Sequence, residues 1–196
     1  MANYAPWWEL EGVMNTIETF TDLISQQETW LADHGTRVAR IATTLGTRLG
    51  LDAEQLRRLH MTAHLHDIGK IRIDSKLVNK PGPLADREWD EMRRHPAEGF
   101  SLLDGLVHPD IATAVLFHHE RFDGGGYPYG LSGTAIPHLS RILFVADAFD
   151  AITSERPYQP ALSAEIALGE LKLHAGAQFD PAVVAAMLKD QLVFAA

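Results

Sequence analysis

Apolar residues recur at helical spacing along almost the whole of this chain, and no stretch alternates apolar and polar residues as a half-buried strand does. Such a chain buries its apolar residues by packing helix against helix, so the expected fold class is all-α, a helical bundle. Leu10, Val13, Met14, Ile17, Phe20, Leu23 and Ile24 place a first amphipathic helix over 9–27. Val38, Ile41, Leu45 and Leu49 place a second over 33–49. A third begins at Asp52, where Asp at the N-cap and Gln55 three residues on form a capping box, and it stops before Gly69. Further helices are expected near 86–94, 96–104, 109–119, 138–152, 164–174 and 181–191, with Pro96, Pro109 and Pro181 in first turns. Two segments break the pattern: 70–84 with its Lys-Pro-Gly-Pro cluster, and 121–137, rich in glycine and proline.

The chemistry lies where polar residues interrupt the apolar faces. His34 shares a stripe with Val38, Ile41 and Leu45; His66 and Asp67 extend the stripe of Leu56, Leu59 and Ala63. His118 and His119 extend Ile111, Ala114 and Val115, Asp147 follows Leu139, Ile142, Leu143 and Ala146, and His95 sits at a junction between two short helices. One inward histidine is most often a hydrogen-bonded core residue. Burying all seven of these groups without partners would cost several kcal/mol each, and a metal removes that cost. The chain has no cysteine, so such a site must be built from imidazole and carboxylate.

Charge and hydropathy exclude other classes. A net charge of −9 argues against a duplex nucleic-acid binder, because phosphate neutralisation by Lys and Arg supplies most non-specific affinity. No apolar run approaches the roughly 18 residues of a membrane span, and the first residues lack the basic and apolar regions of a signal peptide, so a cytoplasmic location is expected. At 196 residues the chain suits one domain with a short extension.

In order along the chain stand DHGTRVA (33–39), LHDIGK (65–70), NKPGPL (79–84), RHPAEG (94–99), HHERFDGGGYP (118–128) and RILFVADAFDAITSERPY (141–158). This ordered set resembles the HD-GYP family, a branch of the HD-domain metal-dependent phosphohydrolases. The resemblance implies an HD-domain helical bundle with a long GYP loop, comprising a helical extension over 1–28 and a catalytic domain over 29–196. It implies a metal-dependent phosphodiesterase that hydrolyses cyclic di-GMP to pGpG and onward to GMP by a metal-bound hydroxide. Weighed beside that reading are a weakly catalytic dinucleotide receptor or docking module and a phosphodiesterase for cyclic GMP-AMP.

Carried over position by position, the implied metal ligands are His34, His66, Asp67, His95, His118, His119 and Asp147. His34, His66, Asp67 and Asp147 are expected around one ion, with His95, His118 and His119 around the other and Asp67 bridging. Two Fe or Mn ions are expected, other divalent metals being alternatives. Lys70 and Asp67 are the expected catalytic groups, and Tyr127, Arg156 and Lys70 the substrate-binding ones. Glycines 124–126 let the backbone turn beside a bulky dinucleotide. The GYP loop is also a candidate docking surface for diguanylate cyclases, and Trp7 and Trp8 for a homodimer. The chain departs from the family pattern in two places: Trp30 stands where members with a third ion carry glutamate, which favours a binuclear site. Gln159 stands where a second basic residue is common after Arg156.

Overall fold

The computed structural model describes residues 29–155 and 160–189, with the side chains of 29–32 left undescribed. The expected helix over 9–27, the extension over 1–28 with Trp7 and Trp8, the Trp30 side chain, Arg156 and Gln159 therefore lie outside the described residues. The described chain is helical, with no strand beyond one isolated bridge between Ala175 and Phe179. Its helices are α1 (Thr29–Arg48), α2 (Ala53–Leu65), α3 (Ser75–Val78), α4 (Asp86–Met92), α5 (His95–Leu103), α6 (Pro109–Leu116), α7 (His138–Thr153), α8 (Ala164–Leu173) and α9 (Pro181–Leu188). Turns of 3-10 helix occupy Ile68–Arg72 and Gly133–Ala135. None of the described helices is long and apolar enough to cross a membrane.

The helix starts follow local chemistry. Asp52 accepts from the Gln55 amide at 2.8 Å while the Gln55 side chain accepts from the Asp52 amide at 3.0 Å, so the expected capping box forms at α2. Pro109 and Pro181 open α6 and α9, where a missing N–H costs nothing, and the Asp180 carboxylate accepts from the Ala182 amide at 2.8 Å.

Two apolar cores meet at the site. One lies between α1, α2, α7, α8 and α9, around Leu45, Leu59, Leu143, Leu171 and Met187. The other lies between the end of α2, the 3-10 turn and α5–α6, around Leu65, Ile68, Leu103 and Val115. Helix α1 packs on α2 and α7, and the 3-10 turn packs on α5. That last contact is unusually close. A Cβ at Gly69 would lie 1.9 Å from the His95 carbonyl oxygen, so only glycine lets the turn after α2 lie against the start of α5.

Candidate metal centre

Helix α2 ends at Leu65, and the chain turns tightly into Ile68–Arg72. This places His66 and Asp67 at the tip of the helix, and Lys70 folds back onto its own turn, its Nζ donating to Asp67 Oδ2 at 2.6 Å. Helix α6 likewise ends at Leu116, earlier than the periodicity suggests, so His118 and His119 stand on the turn beyond it and not on its face. The cause is local: Phe117 leaves helical geometry at φ −106°, and the His118 ring turns back onto the Val115 carbonyl at 2.6 Å.

That contact recurs. His66 Nδ1 meets the Ala63 carbonyl at 2.7 Å, and His95 Nδ1 meets the Met92 carbonyl at 2.8 Å. A carbonyl oxygen only accepts, so Nδ1 donates in all three rings, and the neutral His95 and His118 rings are left with a bare lone pair on Nε2. His95 Nε2 and His118 Nε2 then face each other at 3.2 Å. Two lone pairs so close repel unless a cation lies between them. The ring-nitrogen anchoring is the arrangement by which histidine ligands are oriented toward metals.

Asp67 joins the two halves of the cluster. Its Oδ1 lies 3.4 Å from His95 Nε2 and its Oδ2 lies 3.4 Å from His66 Nε2. His95, His118 and His119 offer ligand atoms within 4.8 Å of one another, and so do His34, His66 and Asp67. Asp147, from α7, reaches His34 Nε2 at 3.2 Å and so stands beside the second group. The seven residues singled out in the sequence thus converge, arriving from α1, the end of α2, α5, the turn after α6, and α7. Imidazole nitrogens and carboxylate oxygens without thiolate, four residues in one group and three in the other, suit first-row transition ions.

The site is electrostatically split. Burial lowers the affinity of His95 and His119 for protons to pKa values of about 3 and about 4, and burial and its neighbouring imidazoles push His118 well down. His34 goes the other way: burial alone would lower it, but hydrogen bonds to Asp147 and Asp150 prevail and raise it to about 9. Burial would push the Asp67 carboxyl up, yet the Lys70 ammonium and the surrounding imidazoles hold it well below the usual carboxylate range.

Two residues that sequence reasoning did not single out, Asp150 and Glu120, support this set. Asp150, one turn after Asp147 and buried, accepts from His34 Nδ1 at 2.7 Å and is itself gripped by Arg37 through Nε at 2.6 Å and Nη2 at 3.1 Å. The signal was available as DAFD, two acids on adjacent turns of one apolar helix. Glu120, also buried, accepts from the Tyr129 amide at 2.7 Å and the Leu131 amide at 3.0 Å, tying the glycine-rich loop to the paired histidines. A Cβ at Gly126 would lie 2.3 Å from the Arg121 nitrogen, so the loop can close on His119 only with glycine there. The Tyr127 ring stacks on His119 at 4.8 Å as a result.

The ligand groups open on a cavity of about 240 Å³ lined also by Lys70, Trp89, Met92 and Tyr127. Residues 18–183 match the HD domain. The chain belongs to the HD-domain family, in its HD-GYP branch. This HD-domain chain is 44% identical over 156 residues to the cyclic di-GMP phosphodiesterase response regulator RpfG of Xanthomonas campestris, covering 78% of this chain and 41% of that protein. It is 34% identical over 185 residues to a cyclic di-GMP phosphodiesterase of Thermotoga maritima, covering 93% of this chain and 49% of that protein. The chain therefore spans about half or less of these relatives. Its fold matches the crystal structure of a cyclic GMP-AMP-specific phosphodiesterase of Vibrio cholerae with a TM-score of 0.66 at 23% identity, over 87% of this chain and 45% of that one.

Proposed function

We propose that this HD-domain chain is a metal-dependent phosphodiesterase that hydrolyses cyclic di-GMP to linear pGpG, and onward to GMP, in the cytoplasm. One observation carries the reading: two ligand clusters share the Asp67 carboxylate, one oxygen toward each, at the floor of a single open cavity. The names of the relatives supply the substrate class.

His34, His66, Asp67 and Asp147 would hold one ion and His95, His118 and His119 the other, with Asp67 between them. Iron or manganese bound there would supply a nucleophilic water near neutral pH and positive charge facing the phosphoryl oxygens. The chain's own groups do the rest. Lys70 Nζ, held on Asp67 at 2.6 Å, lines the cavity wall and brings a positive charge to a phosphoryl oxygen bound there. The Tyr127 phenol stays protonated, since burial and the nearby Asp67 and Asp147 charges push its pKa above the usual range, so it donates to the substrate. Water attacks phosphorus, the P–O3′ bond breaks, and the leaving 3′ oxygen takes up a proton to give the linear product.

The test is metal analysis of anaerobically prepared protein together with chromatography of products from cyclic di-GMP. About two transition ions per chain and release of pGpG or GMP are expected. Tight binding of cyclic di-GMP without product, with iron or manganese supplied, would make the chain a receptor.

A further inference from the structure

The cavity above the ligands is too small for the whole substrate. Its volume of about 240 Å³ falls below the roughly 300–1,000 Å³ of sites for drug-sized ligands, and a cyclic dinucleotide carries two bases on a macrocycle. A second cavity of about 370 Å³ adjoins it, sharing Trp89, His119 and Tyr127 as a common wall.

The second cavity is built on aromatic faces and one guanidinium. Trp89, on α4, is 43% exposed, an aromatic of that size left in water beside the site. Arg93 follows it by one turn, and its Cζ lies 5.9 Å from the Trp89 ring centroid and 5.8 Å from that of Tyr127. The other arginine on this wall, Arg121, is committed to Asp123 at 2.7 and 3.1 Å and to Gln178 at 3.2 Å. Arg93 differs. Its ion pair with Asp90 is 4.0 Å long, beyond hydrogen-bonding distance, so its donors are open to a ligand.

We propose that Trp89 and Arg93 form a guanine-binding subsite for the nucleobase of the cyclic dinucleotide that lies beyond the ligand cavity, and that Arg93 selects guanine over adenine there. The inference rests on the phosphodiesterase reading above. Aromatic faces with a planar fork of donors match a flat base and not a tetrahedral phosphate. The Hoogsteen edge of guanine offers O6 and N7, two acceptors that a guanidinium meets bidentately; adenine presents N7 with an N6 amino donor and leaves one guanidinium donor opposed. Stacking on Trp89 is indifferent to the base, so the choice falls to Arg93.

The experiment compares wild type, Arg93→Met and Arg93→Lys, all metal-loaded, with cyclic di-GMP as substrate. Cyclic di-AMP and cyclic di-GMP also serve as inhibitors of bis(p-nitrophenyl) phosphate hydrolysis, a reaction too small to reach the second cavity. Arg93→Met should raise KM and the inhibition constant for cyclic di-GMP by about 10- to 100-fold, with metal content and hydrolysis of the small diester unchanged. The inhibition constant of cyclic di-AMP should stay put, and Arg93→Lys should restore little, since an ammonium cannot pair bidentately. An equal loss for both dinucleotides, or none for either, overturns the subsite. Failure of the underlying reading looks different: wild type itself would then release no linear product from cyclic di-GMP.

Discussion

The histidines of the candidate centre are anchored by two different means. His66, His95 and His118 each rest on a carbonyl three residues back in their own turn. His34 rests on the Asp150 carboxylate, 116 residues away and itself gripped by Arg37. The first kind of anchor forms as soon as the local turn forms and turns Nε2 forward. The second exists only when α1 and α7 are packed, and it places negative charge behind the ligand. A carboxylate behind an imidazole makes it a more basic donor and fixes it through tertiary structure, so the placing of His34 depends on the packed fold in a way that of the three carbonyl-anchored rings does not.

The largest expected effect comes from removing what the halves share. Asp67→Ala should release both ions and abolish measurable turnover, because one carboxylate oxygen faces each group. Metal analysis that found one ion still bound would break the comparison into two independent sites. Lys70→Met touches the same carboxylate but offers no ligand atom to a metal. It should keep both ions and lose about 10²- to 10³-fold in kcat, the scale of one transition-state donor. Unchanged kcat would return Lys70 to a purely electrostatic role beside Asp67.

A smaller and one-sided effect is expected from Asp150→Asn, which keeps the volume but removes the charge behind His34. Affinity for one ion should fall by about 10- to 100-fold while the other is held as before, so titration of metal-free protein would show two separated binding steps. Equal weakening of both ions would contradict a separate, distant anchor for His34.

The same division explains what could be read from the sequence. The helices at 138–152, 164–174 and 181–191 agree with α7, α8 and α9 to within a few residues, because their periodicity and caps are local. The short helix α3 and the 3-10 turn over Ile68–Arg72 fall in a segment that reads as loop, since neither is long enough to show a period. The turn exists because Gly69 lies against α5, a contact that the sequence does not reveal. At the site, residues ending apolar stripes were legible, since each lies on the helix that carries the stripe or within a few residues of its end. The roles of Asp150 and Glu120 were not, even though DAFD marks Asp150, because their partners, His34 and the amides of Tyr129 and Leu131, lie across the fold or along an irregular loop.

The smallest effect concerns histidines of α2 outside the cavity. His60 and His64 lie on the same helix that delivers His66, with ring centroids 4.8 Å apart. Burial pushes His60 from 6.5 down to about 4, and burial together with the charges of His60 and His66 does the same to His64. In the unfolded chain each takes up a proton near 6.5, whereas in the folded chain each stays neutral until about 4. Between those values the unfolded state binds more protons, so this contribution to stability is complete above pH 6.5 and declines as the pH falls toward 4. His60→Leu removes one such group and cannot be protonated in either state. With a chelator present, so that ion loss plays no part, the fall in Tm between about pH 7 and about pH 5 should be smaller in the variant by about 2–4 °C. Equal pH slopes for the two proteins would show that His60 keeps its ordinary affinity for protons in the folded chain.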